Sequence, residues 1–216
     1  MKLKKIASLM LAGIMAVSML AGCKSGTPDP DDNGGASSNT TSSFTESVLS
    51  KTNAKTSALL KASDNAKLDA GVEAAAKAGF TNADAYTYVE DIKWATADTW
   101  TEVKLAAAQM DDAQFLASID TNKNYDFSKN TEWANKTKTY WSVGVVSASL
   151  SDDAIANMVA DLLDSYQFAA SDEKDTYTYE VRAAKALCEN SKKDTANDDF
   201  VIVGIAITCT HADVKY

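Results

Sequence analysis

Residues 200–210, FVIVGIAITCT, carry no charge, and apolar side chains stand at both odd and even positions. Successive side chains of a strand point to opposite faces, so this pattern buries both faces and suits the centre of a sheet. Residues 177–187 read as a companion strand, with Tyr177, Tyr179, Val181 and Ala183 alternating against Thr178, Glu180 and Arg182. Residues 140–149, YWSVGVVSAS, form a third compact run rich in β-branched side chains. Ser151 is placed to cap an amphipathic helix with Ile155, Val159, Leu162 and Tyr166 inward. Asp152 and Asp153 then lie where the helix dipole favours negative charge. The second half of the chain therefore reads β-α-β-β.

The first half carries helical signals. Ser43 with Glu46 three residues on makes a capping-box pattern, followed by Phe44, Val48, Leu59 and Leu60 among polar residues. A second segment puts Leu68, Val72, Ala75 and Ala76 on one face and meets a natural stop at Gly79, with Phe80 beyond it. Thr99 and Glu102 repeat the capping pattern ahead of Trp100, Val103, Ala107 and Met110, and Phe115, Leu116 and Ile119 continue or restart that helix. Residues 86–94 fit both periods: Tyr86, Tyr88, Ile92 and Trp94 alternate, while Ala85, Val89 and Ile92 suit a helix, which is the reading taken, with an irregular end. The expected fold is α+β, a helical N-terminal half packed on a small β-sheet built from the C-terminal β-α-β-β segment. Gly144 and Gly204 each sit inside an apolar strand, where the missing Cβ lets a helix or neighbouring strand approach closely.

Ahead of this domain the composition changes. Residues 24–43, KSGTPDPDDNGGASSNTTSS, hold both prolines of the chain and no large apolar side chain, so they cannot bury area and read as a flexible tether. Lys2, Lys4 and Lys5 form a positive cluster, residues 6–20 are uncharged and largely apolar, and Leu20-Ala21-Gly22-Cys23 follows. This segment resembles the lipobox of bacterial lipoprotein precursors: an aliphatic residue, two small residues, then cysteine. The resemblance covers residues 1–23 only. It implies a signal peptide over residues 1–22, cleavage after Gly22, and thioether lipidation of Cys23. Acyl chains contribute ~0.8 kcal/mol per buried CH₂, so two of them anchor a chain without a transmembrane helix. The expected organisation is a signal peptide at 1–22, a lipidated cysteine and tether at 23–43, and a single globular domain at 44–216. The expected address is the extracytoplasmic face of the cell membrane.

The full chain has 21 basic and 30 acidic residues; losing residues 1–22 removes three lysines and no acid, leaving 18 against 30, a formal charge of −12. That balance excludes nucleic acid as a partner, because phosphate neutralisation needs clustered Lys and Arg. It equally argues against an anionic lipid surface held by the domain itself, so the membrane is a partner only through the lipid on Cys23.

Chemistry-bearing clusters are sparse. Asp120, Asn122, Asn124, Asp126 and Ser128 alternate as in a calcium loop, but Tyr125 stands where such a loop needs glycine and Thr131 where it needs glutamate, with Glu132 one residue late. Cys209, His211 and Asp213 share one face of an extended strand, yet zinc needs three or four ligands and the chain has no second histidine. Cys188 and Cys209 are placed about ten residues apart if the last two strands form a simple hairpin, roughly 30 Å and too far for a disulfide, which then forms only if Cys188 leaves the sheet early. The paired acids Glu90-Asp91, Asp111-Asp112, Asp152-Asp153 and Asp198-Asp199 do not converge on one substrate as neighbours in sequence. No catalytic residue, metal ligand or cofactor is assigned from the sequence, and Cys23 is the one modification site. A binding or structural role is favoured over catalysis, with an envelope glycan, peptide or protein as the expected partner. The alternative is a cell-envelope hydrolase using a carboxylate pair.

Overall fold

The computed structural model describes residues 43–78, 90–95, 109–110, 113–116, 125–127, 136–188 and 199–213. In chain order these form α1 (Ser43–Lys51), α2 (Ala54–Ser57), β1 (Leu60–Ala62), α3 (Ala66–Ala78), β2 (Lys93–Trp94), β3 (Gln114–Phe115), β4 (Thr137–Ser147), α4 (Asp152–Asp164), β5 (Asp175–Cys188) and β6 (Phe200–Asp213). The fold is α+β, with helices packed on a six-stranded mixed sheet of order β1-β5-β6-β4-β2 and β3 also on β4. β6 is central and antiparallel to both long neighbours, pairing Phe200 with Cys188 and Asp213 with Asp175 on one side, and Phe200 with Ser147 on the other. The short strands β1 and β3 run parallel to β5 and β4.

Both faces of β6 are covered, as its sequence demands. On one face Val203, Ile205 and Ile207 meet Phe44 and Val48 of α1 and Ile155, Val159 and Leu163 of α4. On the other, Ile202 and Ala206 meet Leu68, Val72 and Ala75 of α3. Each such aliphatic side chain contributes about 1.5–3 kcal/mol when fully buried, which makes this three-layer stack the main source of stability. The α4 helix follows its sequence signals closely. Ser151 Oγ accepts from Ala154 N at 3.2 Å, and Ile155, Val159, Leu162 and Tyr166 are all buried. Its two leading acids are neutralised by lysines, Asp153 by Lys51 at 2.5 Å and Asp152 by Lys185 at 2.8 Å.

The two strand glycines mark close approaches. A Cβ on Gly144 would stand 2.6 Å from Ile92 Cγ2 and 3.0 Å from Lys93 O, where β2 runs beside β4. A Cβ on Gly204 would overlap Val72 Cγ2 and lie 3.1 Å from Leu68 Cδ1, so α3 rests directly on the backbone of β6.

Beyond β1 the outer edge of β5 is finished by a side chain. The buried Thr45 hydroxyl donates to Ala183 O at 2.9 Å and accepts from Ala183 N at 3.1 Å, supplying what a neighbouring strand would have supplied. On the opposite face the chain's one arginine, Arg182, is buried under α3 and held bidentate by Asp69, Nε to Oδ1 at 2.9 Å and Nη2 to Oδ2 at 2.5 Å.

Three expectations for the first half need correction. Leu60 is not part of the first helical segment; α1 ends at Lys51, and Leu60 opens β1, buried opposite Tyr179. Phe115 and Leu116 do not continue a helix. Phe115 lies in β3 and Leu116 N donates to Trp141 O at 2.8 Å, because the outer edge of β4 offers backbone partners that a helix would leave unmet. Lys93 and Trp94 form a strand rather than a helix end; Ile92 and Trp94, two apart, both bury against Gly144. In each case edge pairing overrode a local helical pattern. The helix expected after Thr99 and the stop at Gly79 lie outside the described residues, apart from Met110, which is buried.

Candidate functional site

The register of the last two strands decides what converges at the end of the sheet where β5 begins and β6 finishes. Asp175 is opposite Asp213, Tyr177 opposite His211 and Tyr179 opposite Cys209. Alternation then projects all six side chains onto the face that carries α1 and α4. His211 Nε2 lies 2.9 Å from Asp175 Oδ1 and 3.8 Å from Asp213 Oδ1, and the three ligand atoms fall within 4.8 Å of one another. The His211 side chain is 13% exposed, against 34% for Asp175 and 48% for Asp213, so the group opens to solvent on its carboxylate side.

The surroundings hold these groups in place. The His211 ring stacks on Tyr177 with centroids 4.7 Å apart and planes 16° from parallel, and its backbone N–H donates to Lys136 O. Asp172 Oδ1 accepts from Lys174 N at 2.7 Å and Asp175 N at 2.8 Å, forming the turn that delivers Asp175 to the head of β5. Those bonds to the Asp175 and Lys174 backbone hold the Asp172 carboxyl below its ordinary pKa. Ser171 closes the adjoining edge: Tyr177 N donates to its Oγ at 2.9 Å. The Tyr177 phenol is raised above its ordinary pKa by burial first, then by the charges of Asp175, Asp172, Asp213 and Asp126.

Behind the carboxylates an aromatic row runs into the core. Tyr177 stacks parallel to Tyr179 at 6.3 Å, Tyr179 meets the edge of Phe168 at 4.9 Å, and Phe168 stacks on Phe127 at 5.3 Å. Phe127 is seated by backbone bonds of residues 125–127 with Gln167, Phe127 N to Gln167 O at 3.0 Å and Gln167 N to Tyr125 O at 2.9 Å. The face is therefore an acidic, histidine-bearing mouth on an aromatic wall.

Burial pushes the Tyr179 phenol up to about 12, partly opposed by the hydrogen bond it accepts from Ala169 N. A phenol with a higher pKa folded than unfolded stabilises the fold in full below pH ~10, and that contribution is lost as pH rises through about 12. At ~1.4 kcal/mol per pKa unit the loss is roughly 2–3 kcal/mol. Urea melts of wild type and Tyr179→Phe between pH 8 and 11.5 should show the wild type losing more stability over the alkaline limb. Parallel curves would mean that the phenol is not buried as described.

Of the sequence-derived clusters, Cys209, His211 and Asp213 do share a face, but Cys209 lies deeper under the helices than the other two. It is fully buried among Tyr179, Ile207 and their neighbours, and burial raises its thiol pKa far above the ordinary value, so it supplies no thiolate here. Cys188 is buried too, its thiol raised first by burial and then by the Asp199 charge. Cys188 pairs with Phe200 and faces the α3 side, whereas Cys209 faces the other, and both are free thiols. Of the alternating oxygen donors of the calcium-like segment only Asp126 lies among the described residues, bridged to Gln167. Trp94 and Trp141 are core residues, Trp141 against Phe115 at 5.0 Å, and neither forms a binding platform. Cys23 lies outside the described residues. The residue missed by sequence reading is Asp175. Its signal was present: the alternation of Tyr177, Tyr179 and Val181 extends back by one step to Asp175.

Comparison of the chain with protein-family models, with curated proteins and with solved structures gives no match.

Proposed function

We propose that this protein is a lipid-anchored extracytoplasmic lipoprotein whose acidic α+β domain, carried on the tether of residues 24–43, binds a ligand at the Asp175–His211–Asp213 face. The anchoring half of the reading rests on the lipobox-like Leu20-Ala21-Gly22-Cys23. No helix among the described residues is long and apolar enough to cross a membrane. The binding half rests on one observation: two carboxylates and the chain's one histidine, half-exposed on their acid side, are set on the aromatic row of Tyr177 and Tyr179. Half-exposed hydrogen-bonding groups beside a partly buried aromatic ring suit a sugar or a peptide.

The test has two arms. Protease added to intact spheroplasts should cut the domain while a cytoplasmic marker survives. Detergent-solubilised protein should retain envelope glycan or peptide fragments, with retention falling at least tenfold in Tyr177→Ala. Protection of the domain, or retention unchanged in the variant, contradicts the reading. A second reading is a cell-envelope hydrolase working through Asp175 and Asp213, whose converging oxygens, within 4.8 Å, stand a little closer than the ~5–5.5 Å of a retaining carboxylate pair. Turnover of envelope glycan by wild type, abolished in both Asp175→Asn and Asp213→Asn, would establish it.

A further inference from the structure

The geometry points to a binding site for a divalent transition-metal ion of the zinc class, held by the Asp175 carboxylate, His211 Nε2 and the Asp213 carboxylate. The site draws ligands from two strands, which is why neither strand alone announces it. Zinc binds nitrogen and carboxylate oxygen at about 2.0–2.2 Å, which places neighbouring donors about 3–3.5 Å apart. His211 Nε2 stands 2.9 Å from one carboxylate oxygen and 3.8 Å from the other, on either side of that value. Asp213, the most exposed of the three, swings inward to close a set that spans up to 4.8 Å to coordination distance.

Electrostatics favour the same occupant. Asp175 and Asp213 are directly opposed on neighbouring antiparallel strands. Like charges in that relation destabilise a sheet unless a cation lies between them. A doubly charged ion at the point where both carboxylates meet Nε2 removes that repulsion.

The donor set selects the class of ion. An imidazole nitrogen is a poor ligand for calcium or magnesium, which take oxygen donors, and a good one for zinc and its neighbours. The His211 ring is held by its stack on Tyr177, so its nitrogen is aimed before the ion arrives. Three protein ligands leave a further position toward solvent, where the carboxylates are exposed, as in sites that bind water or a ligand on the metal. Cys209, two residues from His211 on the same face, is buried in the core and takes no part.

Zinc titration of the purified full-length protein in detergent, followed by competition with a chromophoric chelator, tests the assignment. One equivalent should bind, raise the melting temperature, and be lost at least tenfold in affinity in Asp213→Asn and in His211→Gln, while Cys209→Ala binds as wild type. Asp213 is half-exposed, so its variant reports even where His211→Gln fails to fold. Cobalt in place of zinc should give the visible absorption of a nitrogen- and oxygen-ligated ion. Three results would overturn the assignment: no zinc uptake by wild type, uptake undiminished in Asp213→Asn, or loss of uptake in Cys209→Ala with Asp213→Asn unaffected.

Discussion

Replacing Gly204 with valine is expected to destabilise the domain by about 3 kcal/mol, a large fraction of the stability of a domain of this size. Gly204 lies in the central strand under α3, and the first added carbon already overlaps Val72 Cγ2 and crowds Leu68. Both of those side chains are themselves buried, at 1% exposure each, so neither has free space to turn into. The helix must lift off the sheet, opening contacts along Ala75, Ile202 and Ala206 as well. Overpacking of this kind costs typically 1–3 kcal/mol per site, and domains of this size hold only 5–15 in total. Gly204→Ala should lose less, about 1–2 kcal/mol, although alanine at an unstrained site ordinarily stabilises through the unfolded chain. Combining it with Val72→Ala should recover part of the loss, a coupling that a double-mutant cycle of urea melts would read directly. Equal stability of Gly204→Ala and wild type would show that α3 does not rest on this strand.

Cys23→Ala carries the second large effect, on anchoring rather than stability. In wild type, labelled palmitate should be incorporated into the protein and residues 1–22 should be absent from the mature chain. The alanine variant should incorporate no label above background and retain residues 1–22, because the proposed anchor attaches its diacylglycerol through that thiol. Starting the exported chain at Lys24 behind a cleavable signal that lacks the cysteine should release the domain from membranes altogether. Its formal charge of −12 gives it no attraction to anionic lipid. Palmitate incorporation persisting in Cys23→Ala would place the lipid elsewhere.

What could be read from the residues, and what could not, follows from how far each signal reaches. Local and periodic features were legible. Ser151 caps α4, Ile155 and Val159 face the core, and β6 is central because both its faces are apolar. Leu68 and Val72 marked the buried face of α3 for the same reason. Short strands were not legible. Leu60, Trp94 and Phe115 belong to strands of two or three residues whose existence depends on an unfilled edge of β5 or β4, far away in the chain. Nothing within a few residues of Phe115 reports that Trp141 O lacks a donor. The candidate site failed in the same way. His211 and Asp213 were visible as a pair with Cys209, but the third ligand, Asp175, is 36 residues from His211 and joins it only through hairpin register. That Cys209 takes no part was equally hidden, because position on a strand tells which face a side chain takes, not how deep under the helices that face lies.

The proposed lipid anchor is tested most directly by the chemical state of the mature N-terminus. Mass spectrometry of the N-terminal peptide from membrane-extracted protein should find a chain that begins at Cys23 and carries the added mass of a thioether-linked diacylglycerol. A peptide that begins at Met1, or one that contains Cys23 as an unmodified thiol, would contradict it.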